Sequence, residues 1–278
     1  MCGLSTRGAG IVADVKRLHL FEFEDLPWFP AVVRDAMTDL LGKAIEVGRI
    51  YHPVVPLLAE ALRATGETKI LDLCSGGGGP VPTLRRLLAS EHGLAVEVQL
   101  SDFYPNLAAF TRIAAQEERV SFVPESVDAT HVPARLPGFR TMFTCMHHFK
   151  PAQAQAILRD AWAADRGIGV FEFTERSALG LAQMLTSPLA SLALTPFIRP
   201  FRWSRLALTY AVPVVPALFM FDGVVSQLRT YTADELRAMT KGLNRPGYRW
   251  EVGHVKHPLF PGKVSYLLGL PGASAPKL

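Results

Sequence analysis

The chain has 278 residues, 49% of them hydrophobic and 19% charged, enough for one large α/β domain with insertions or two small domains. A net charge of +4 without any Lys/Arg-rich run excludes the electrostatic footprint of a nucleic-acid binder. Cys2, Cys74 and Cys145 are too few and too scattered for a disulfide framework or a zinc site, so no metal is expected and a reducing, cytoplasmic setting is.

The first 25 residues lack the apolar stretch of a signal peptide. Residues 1–67 are predicted to form a helical cap, because after "FEFEDLPWFP" the apolar residues of 31–66 recur at helical spacing. The period then changes. Short runs rich in Val, Ile, Leu and Phe at 68–75, 95–102, 120–126, 140–147 and 167–174 alternate with helical stretches at 81–93, 106–118 and 151–165. Strand–helix alternation of this kind predicts a mostly parallel sheet covered on both faces, within a domain spanning 68–278. Residues 177–222 interrupt the rhythm with an apolar, Pro-broken insertion. Next, Thr232 and Glu235 fit a capping box and Gly242 a helix stop. Two final runs, 248–255 and 263–270, are joined without a helix and must be antiparallel. The last eight residues read as a loose tail.

The chemistry starts at "KILDLCSGGGGP", residues 69–80, where the first strand ends and a helix begins. Glycine at that point lets a ligand lie against the backbone, and the helix start offers free N–H groups to an anion; a tight structural turn is the plainer alternative. A phosphate loop is excluded, since no Gly-Lys-Ser/Thr follows. A dinucleotide fingerprint is strained, because counting from Gly76 and Gly78 puts Val81 at the third glycine position. A ligand whose only acid is a carboxylate, such as S-adenosylmethionine, needs no phosphate machinery.

These residues resemble the first motif of class I, Rossmann-like S-adenosylmethionine-dependent methyltransferases. Asp72 takes the acidic position, Gly76 and Gly78 the second and third glycines, and Cys74, followed by Ser75, stands where the family has its first glycine. The resemblance continues at Asp102, which would accept hydrogen bonds from both ribose hydroxyls, with Phe103 against the adenine. Asp128 and Ala129 look like the third-strand motif that meets the adenine amino group and a ring nitrogen. The resemblance covers residues 68–175 and 230–270. It implies a doubly wound, seven-stranded sheet with an antiparallel terminal strand, and S-adenosylmethionine as cofactor.

Methyl transfer is an in-line displacement, so the protein must mainly hold the acceptor collinear and exclude water. "FTCMHHFKP" ends the fourth strand, which borders the methyl group in the family. His147 and His148 are the candidate bases, if the acceptor must lose a proton. The alternative is that they only pack and bond the loop. Cys145 and Met146 would line the cofactor through their backbone, and Glu172 could face the acceptor. Trp28 and Phe29, beside Glu22, Glu24 and Asp25, either close over the site or start a helix with Asp25 as its cap.

The insertion 177–222 admits three readings: an apolar lid, a surface dipping into one membrane leaflet with Arg199, Arg202 and Arg205 at the headgroups, or ordinary core. The resulting expectation is a methyltransferase for a small, largely apolar acceptor. Its rivals are other S-adenosylmethionine chemistry on the same fold, and a non-catalytic binding or partner subunit. Nothing in the sequence bears on oligomeric state.

Overall fold

The computed structural model describes residues 16–258 and 262–272. Cys2 and most of the tail lie outside them. The sheet has seven strands in the order β3-β2-β1-β4-β5-β7-β6: β1 Lys69–Asp72, β2 Glu97–Leu100, β3 Val120–Phe122, β4 Phe139–Phe143, β5 Ile168–Glu172, β6 Tyr248–Lys256 and β7 Lys263–Pro271. β1 to β5 pair in parallel, and β7 alone runs against its neighbours, β5 and β6. This is the sheet that the resemblance implies.

The central strands are short, and β4 and β5 are buried at every position, as a sheet covered on both faces requires. One layer of apolar residues joins the sheet to α2 (Val55–Thr65), α3 (Val81–His92) and Phe110 of α4 (Leu107–Gln116). The other joins it to α5 (Pro151–Ala163) and α10 (Ala233–Thr240). The Thr232–Glu235 capping box forms as expected, and α10 ends at Thr240 with Lys241 as its cap, so Gly242 follows directly.

Two expectations are corrected. The helix over 31–66 is broken: α1 (Ala31–Gly48) ends where Arg49 takes the left-handed conformation, and a short turn at His52–Val54 leads into α2. Asp25 does not cap α1, whose N-cap is Pro30; it closes a separate turn, Phe23–Asp25.

The insertion folds as α6 (Ala178–Leu185), α7 (Ser187–Leu194), α8 (Trp203–Leu206) and α9 (Val214–Arg229). It packs on α1 through a third apolar group made by Phe29, Val33, Met37, Leu40, Ile198 and Val215. Among the described residues no single helix is long and apolar enough to cross a membrane. Because β1 pairs with β2 on one side and β4 on the other, the connections diverge there. The loops after β1 and β4 therefore open a crevice at the carboxyl ends of the strands.

Candidate active site

The glycine loop is held from beneath by Asp72. Its carboxylate is buried and accepts from Thr141 Oγ1 (2.6 Å) and Ser75 Oγ (2.7 Å). Burial pushes its pKa up to about 7, against the pull of those two hydroxyls. Ser75 in turn donates its N–H to the Ser101 carbonyl, tying the loop to the end of β2. Cys74 sits in the left-handed region (φ 59°), where the family resemblance places a glycine.

Gly76 and Gly78 also have positive φ, of 52° and 102°, for different surroundings. A Cβ on Gly78 would land on the Ile113 side chain, whereas one on Gly76 would meet nothing within 4 Å. Part of the glycine run is thus a packing requirement, and Gly76 faces open space.

Asp102 closes that space from the β2 side. Its Oδ2 accepts the Gly76 N–H (2.8 Å) and its Oδ1 the Tyr104 N–H (2.8 Å), and burial raises its pKa against these bonds. Each oxygen retains a further lone pair. Phe103 is half exposed beside it, edge-on to Tyr104. The segment after β3 is stitched to the same place: the Val127 N–H donates to the Asp102 carbonyl and Ser126 Oγ to the Phe103 carbonyl (2.6 Å). Asp128 is exposed and accepts from the Thr130 N–H and hydroxyl, while Ala129 is buried. Asp102, Phe103, Asp128 and Ala129 therefore belong to one rim, beside Gly76.

The β4 end forms the other side. Thr144 takes a left-handed conformation, and its hydroxyl bonds Tyr51 from the α1–α2 connection. Cys145 is buried with its thiol hydrogen-bonded to Cys74, which helps to push its pKa up. His147 is buried, and its Nδ1 lies 2.9 Å from Glu172 Oε2. Glu172 was expected to face the acceptor, but it is buried with both oxygens engaged: Oε1 by the Met146 N–H (2.7 Å), Oε2 by His147 and by Thr174 Oγ1 (3.1 Å). Burial pushes its pKa up, and the charge and hydrogen bond of the His147 side more than offset this, leaving it lowered. Its evident effect is to orient His147.

His148, with 30% of its side chain exposed, bonds Asp25 Oδ1 through Nδ1 (2.9 Å) and lies 3.6 Å from Glu22. Burial lowers its pKa, but the Asp25 bond and the charges of Glu22 and Asp25 outweigh it and raise the value to about 9. His148 is therefore an imidazolium at neutral pH in this arrangement. The two rings stand 4.3 Å apart.

Closure by the segment around Glu22 to Phe29 is one of the two readings of the sequence; what sequence reasoning missed is the set of partners that pins this strap over the β4 end. Residues 16–29 run across it and are pinned to α9. Arg229 Nη1 reaches Asp25 (2.6 Å) and Glu22 (3.2 Å), and its Nε the Leu20 carbonyl (2.6 Å). Asp222 accepts the Phe23 and Glu24 N–H groups, and Arg17 donates to the His147 and Phe149 carbonyls. Glu24 is half-buried, and desolvation together with the nearby Asp222 charge raises its pKa to about 8. Glu22, His147 and His148 bring one ligand atom each within 4.8 Å of one another, as a cation would need, but Arg229 already supplies the positive charge there. Phe29 is buried between α1 and the insertion, while Trp28 is 69% exposed. No local motif marks Arg229 or Asp222; both look like ordinary polar residues of an apolar helix.

No family model matches the chain, and no curated protein matches it. Among solved structures it is similar to a candidate O-methyltransferase from Nostoc punctiforme, at 18% identity over 87% of this chain and 61% of that one, TM-score 0.47. It is similar to human N-acetylserotonin methyltransferase in complex with S-adenosylmethionine, at 15% identity over 94% and 64%, TM-score 0.49. It is also similar to a candidate zinc-dependent alcohol dehydrogenase from Rhodobacter sphaeroides, at 13% identity over 87% and 98%, TM-score 0.49. The chain spans about three fifths of the length of the Nostoc and human proteins. Likeness at this level carries no argument about chemistry, which rests on the residues of the site.

Proposed function

We propose that the chain is an S-adenosylmethionine-dependent methyltransferase acting on a small, largely apolar acceptor. The observation that carries this reading is Asp102. It stands at the end of β2 with its two oxygens fixed on the Gly76 and Tyr104 amides, each with a lone pair left for a vicinal diol, beside the open space at Gly76. Bound there, S-adenosylmethionine would supply an electrophilic methyl group on a sulfonium leaving group. Phe103, Asp128 and Ala129 would hold the adenine side, and the loop from Cys74 to Gly78 the methionine side. Asp72 organises that loop without facing the ligand.

The strap and α9 partly cover the β4 end, and the strap's Phe23 and Phe29 pack with Leu218 and Phe219 of α9 in the apolar group between α1 and the insertion. That favours an apolar acceptor. His147, oriented by Glu172, and His148, charged by Asp25, are the groups available to hold or move a proton. For His148 to accept one, it must first give up its own.

Calorimetry tests the cofactor. Asp102→Ala removes two charge-assisted bonds and should weaken S-adenosylmethionine binding by about 2–4 kcal/mol, roughly 30- to 1000-fold. Unchanged affinity would overturn the assignment. Product analysis tests the reaction: S-adenosylhomocysteine marks methyl transfer, methylthioadenosine marks other chemistry on this cofactor, and no turnover with bound cofactor favours a binding subunit.

A further inference from the structure

Part of the insertion turns polar residues inward and apolar ones outward, beside the inward-packed Leu194, Ile198, Leu208 and Val215 that hold it to α1. Along α7 and the turn after it, the residues facing the protein are Ser187, Ser191 and Thr195, all nearly fully buried. Facing outward are Leu185 at the end of α6, then Leu189, Leu192 and Phe197, at 64%, 70%, 38% and 65% exposure. The next helical piece repeats the pattern: Arg205 and Thr209 point inward and are buried, while Trp203, Tyr210 and Val212 are 77%, 48% and 59% exposed. A helix covering a water-soluble domain carries the opposite polarity, with its apolar stripe against the core. Small hydroxyl residues between closely packed helices, with leucines on the outer face, form the pattern of helices solvated by lipid.

The charges agree. Between Arg176 and Asp222 the only charged residues are Arg199, Arg202 and Arg205. The structure divides these three, which the membrane-surface reading places together at the headgroups. Arg205 is buried in an ion pair with Asp39 of α1, and Arg202 is paired with Asp35 (3.2 Å), while Arg199 is exposed and donates to the Pro196 carbonyl (3.3 Å). Arg199 and Arg202 lie within a run of exposed aromatic rings, Phe197, Phe201 and Trp203. Aromatic rings mixed with arginine are the composition of a membrane–water interface.

We propose that residues 178–213 dock the protein, leucine and aromatic face down, onto the headgroup–acyl boundary of an anionic bilayer leaflet. α6 and α7, of eight residues each, are too short to span a bilayer and would lie in its plane. Arg199 and the exposed part of Arg202 would contact lipid phosphates. The inference holds whether or not the site transfers methyl groups, because it rests on the outer face of the insertion alone.

The experiment is flotation of the full chain with vesicles of neutral phosphatidylcholine alone, or with phosphatidylglycerol added. Binding to the anionic vesicles should weaken as salt rises. Leu189→Ser combined with Trp203→Ala, both exposed and so harmless to the fold, should lower binding by an order of magnitude or more. Arg199→Gln should lower it about fivefold, and on anionic vesicles only, as expected for one basic residue near a charged surface. Trp203 emission should shift to the blue on binding, and Trp203→Phe should remove the shift. Equal or absent binding in all variants, with native melting temperatures, overturns the proposal. So does lipid-free self-association that the Leu189/Trp203 variant abolishes in sedimentation velocity, which would make the face a contact between copies of this chain.

Discussion

Asp25→Asn is the sharpest probe of the strap, because it removes one negative charge from a site where His148, Arg229 and Glu22 converge. His148 carries a pKa of about 9, against 6.5 for an unperturbed histidine, and the hydrogen bond to Asp25 is the largest of the causes that raise it. Glu22 remains 3.6 Å away in the variant, so only part of the elevation is lost. An opposite charge in direct contact moves a pKa by about 1–3 units, and we expect His148 to fall by about 1–2. At ~1.4 kcal/mol per unit this is at most about 1–3 kcal/mol of coupling. Solvent reaches 30% of the His148 side chain, and screening reduces the share realised as stability to about 1 kcal/mol. The sign follows from the direction of the shift. A histidine whose folded pKa is raised contributes stability that is fully present below 6.5 and is lost as pH rises through about 9. Proton NMR titration of the histidine ring signals, with His148 identified by its loss in His148→Gln, reads the pKa directly. Thermal melts between pH 6 and 9 read the linkage, which should flatten in Asp25→Asn. Titration of His148 near 6.5 in the native protein, or an unmoved value in the variant, would refute the network. The same titration bears on mechanism: if His148 is the base, kcat/KM should climb with pH toward about 9 and saturate earlier in Asp25→Asn.

Three further outcomes follow from single contacts. Gly78→Ala forces a side chain into φ +102° and onto Ile113, so chemical denaturation should show a loss of about 2–4 kcal/mol, which Ile113→Ala relieves only in part because the backbone strain stays. Arg205→Met leaves Asp39 without its partner between α1 and the insertion and should cost about 3–5 kcal/mol, whereas pairing it with Asp39→Leu should recover most of that loss. Glu172→Gln replaces an acceptor that serves both the Met146 N–H and His147; turnover should drop on the order of 100-fold through misplacement of His147, with S-adenosylmethionine affinity retained in calorimetry.

The sheet was legible because each of its strands is a local run with a local boundary. The alternation of period identifies β1 to β5, and the missing helix between 255 and 263 fixes the reversal of β7. The grouping of Gly76, Asp102 and Asp128 at one edge was legible for a similar reason: they follow consecutive strands, and topology alone brings consecutive parallel strand ends together. The sequence misleads at the ends of elements. Residues 73–75 are apolar or small and look like strand, yet Cys74 turns left-handed there to let Ser75 reach Asp72 and Ser101. Gly48 is a stop signal that the helical periodicity of 31–66 masks: α1 ends there, Arg49 turns left-handed, and the α1–α2 turn brings Tyr51 to Thr144.

Glu172 and the strap's partners lay beyond such reading for a deeper reason. Whether a carboxylate at a strand end faces a ligand or a neighbour depends on which partners the fold delivers, and for Glu172 they are Met146 and His147, 26 and 25 residues away. For Asp25 the partners are 123 and 204 residues away, at His148 and Arg229. A buried charge is tolerated only when paired, so the partners decide its role, and pairing over that separation leaves no periodic trace. The insertion shows the converse. Its apolar composition is plain in the sequence, but composition alone admits lid, membrane surface and core. The direction of the side chains adds what composition lacks: Leu194, Ile198 and Val215 hold the insertion to α1, while Ser187, Ser191 and Thr195 turn inward and Leu185, Leu189 and Phe197 outward, the polarity on which the proposed lipid contact rests.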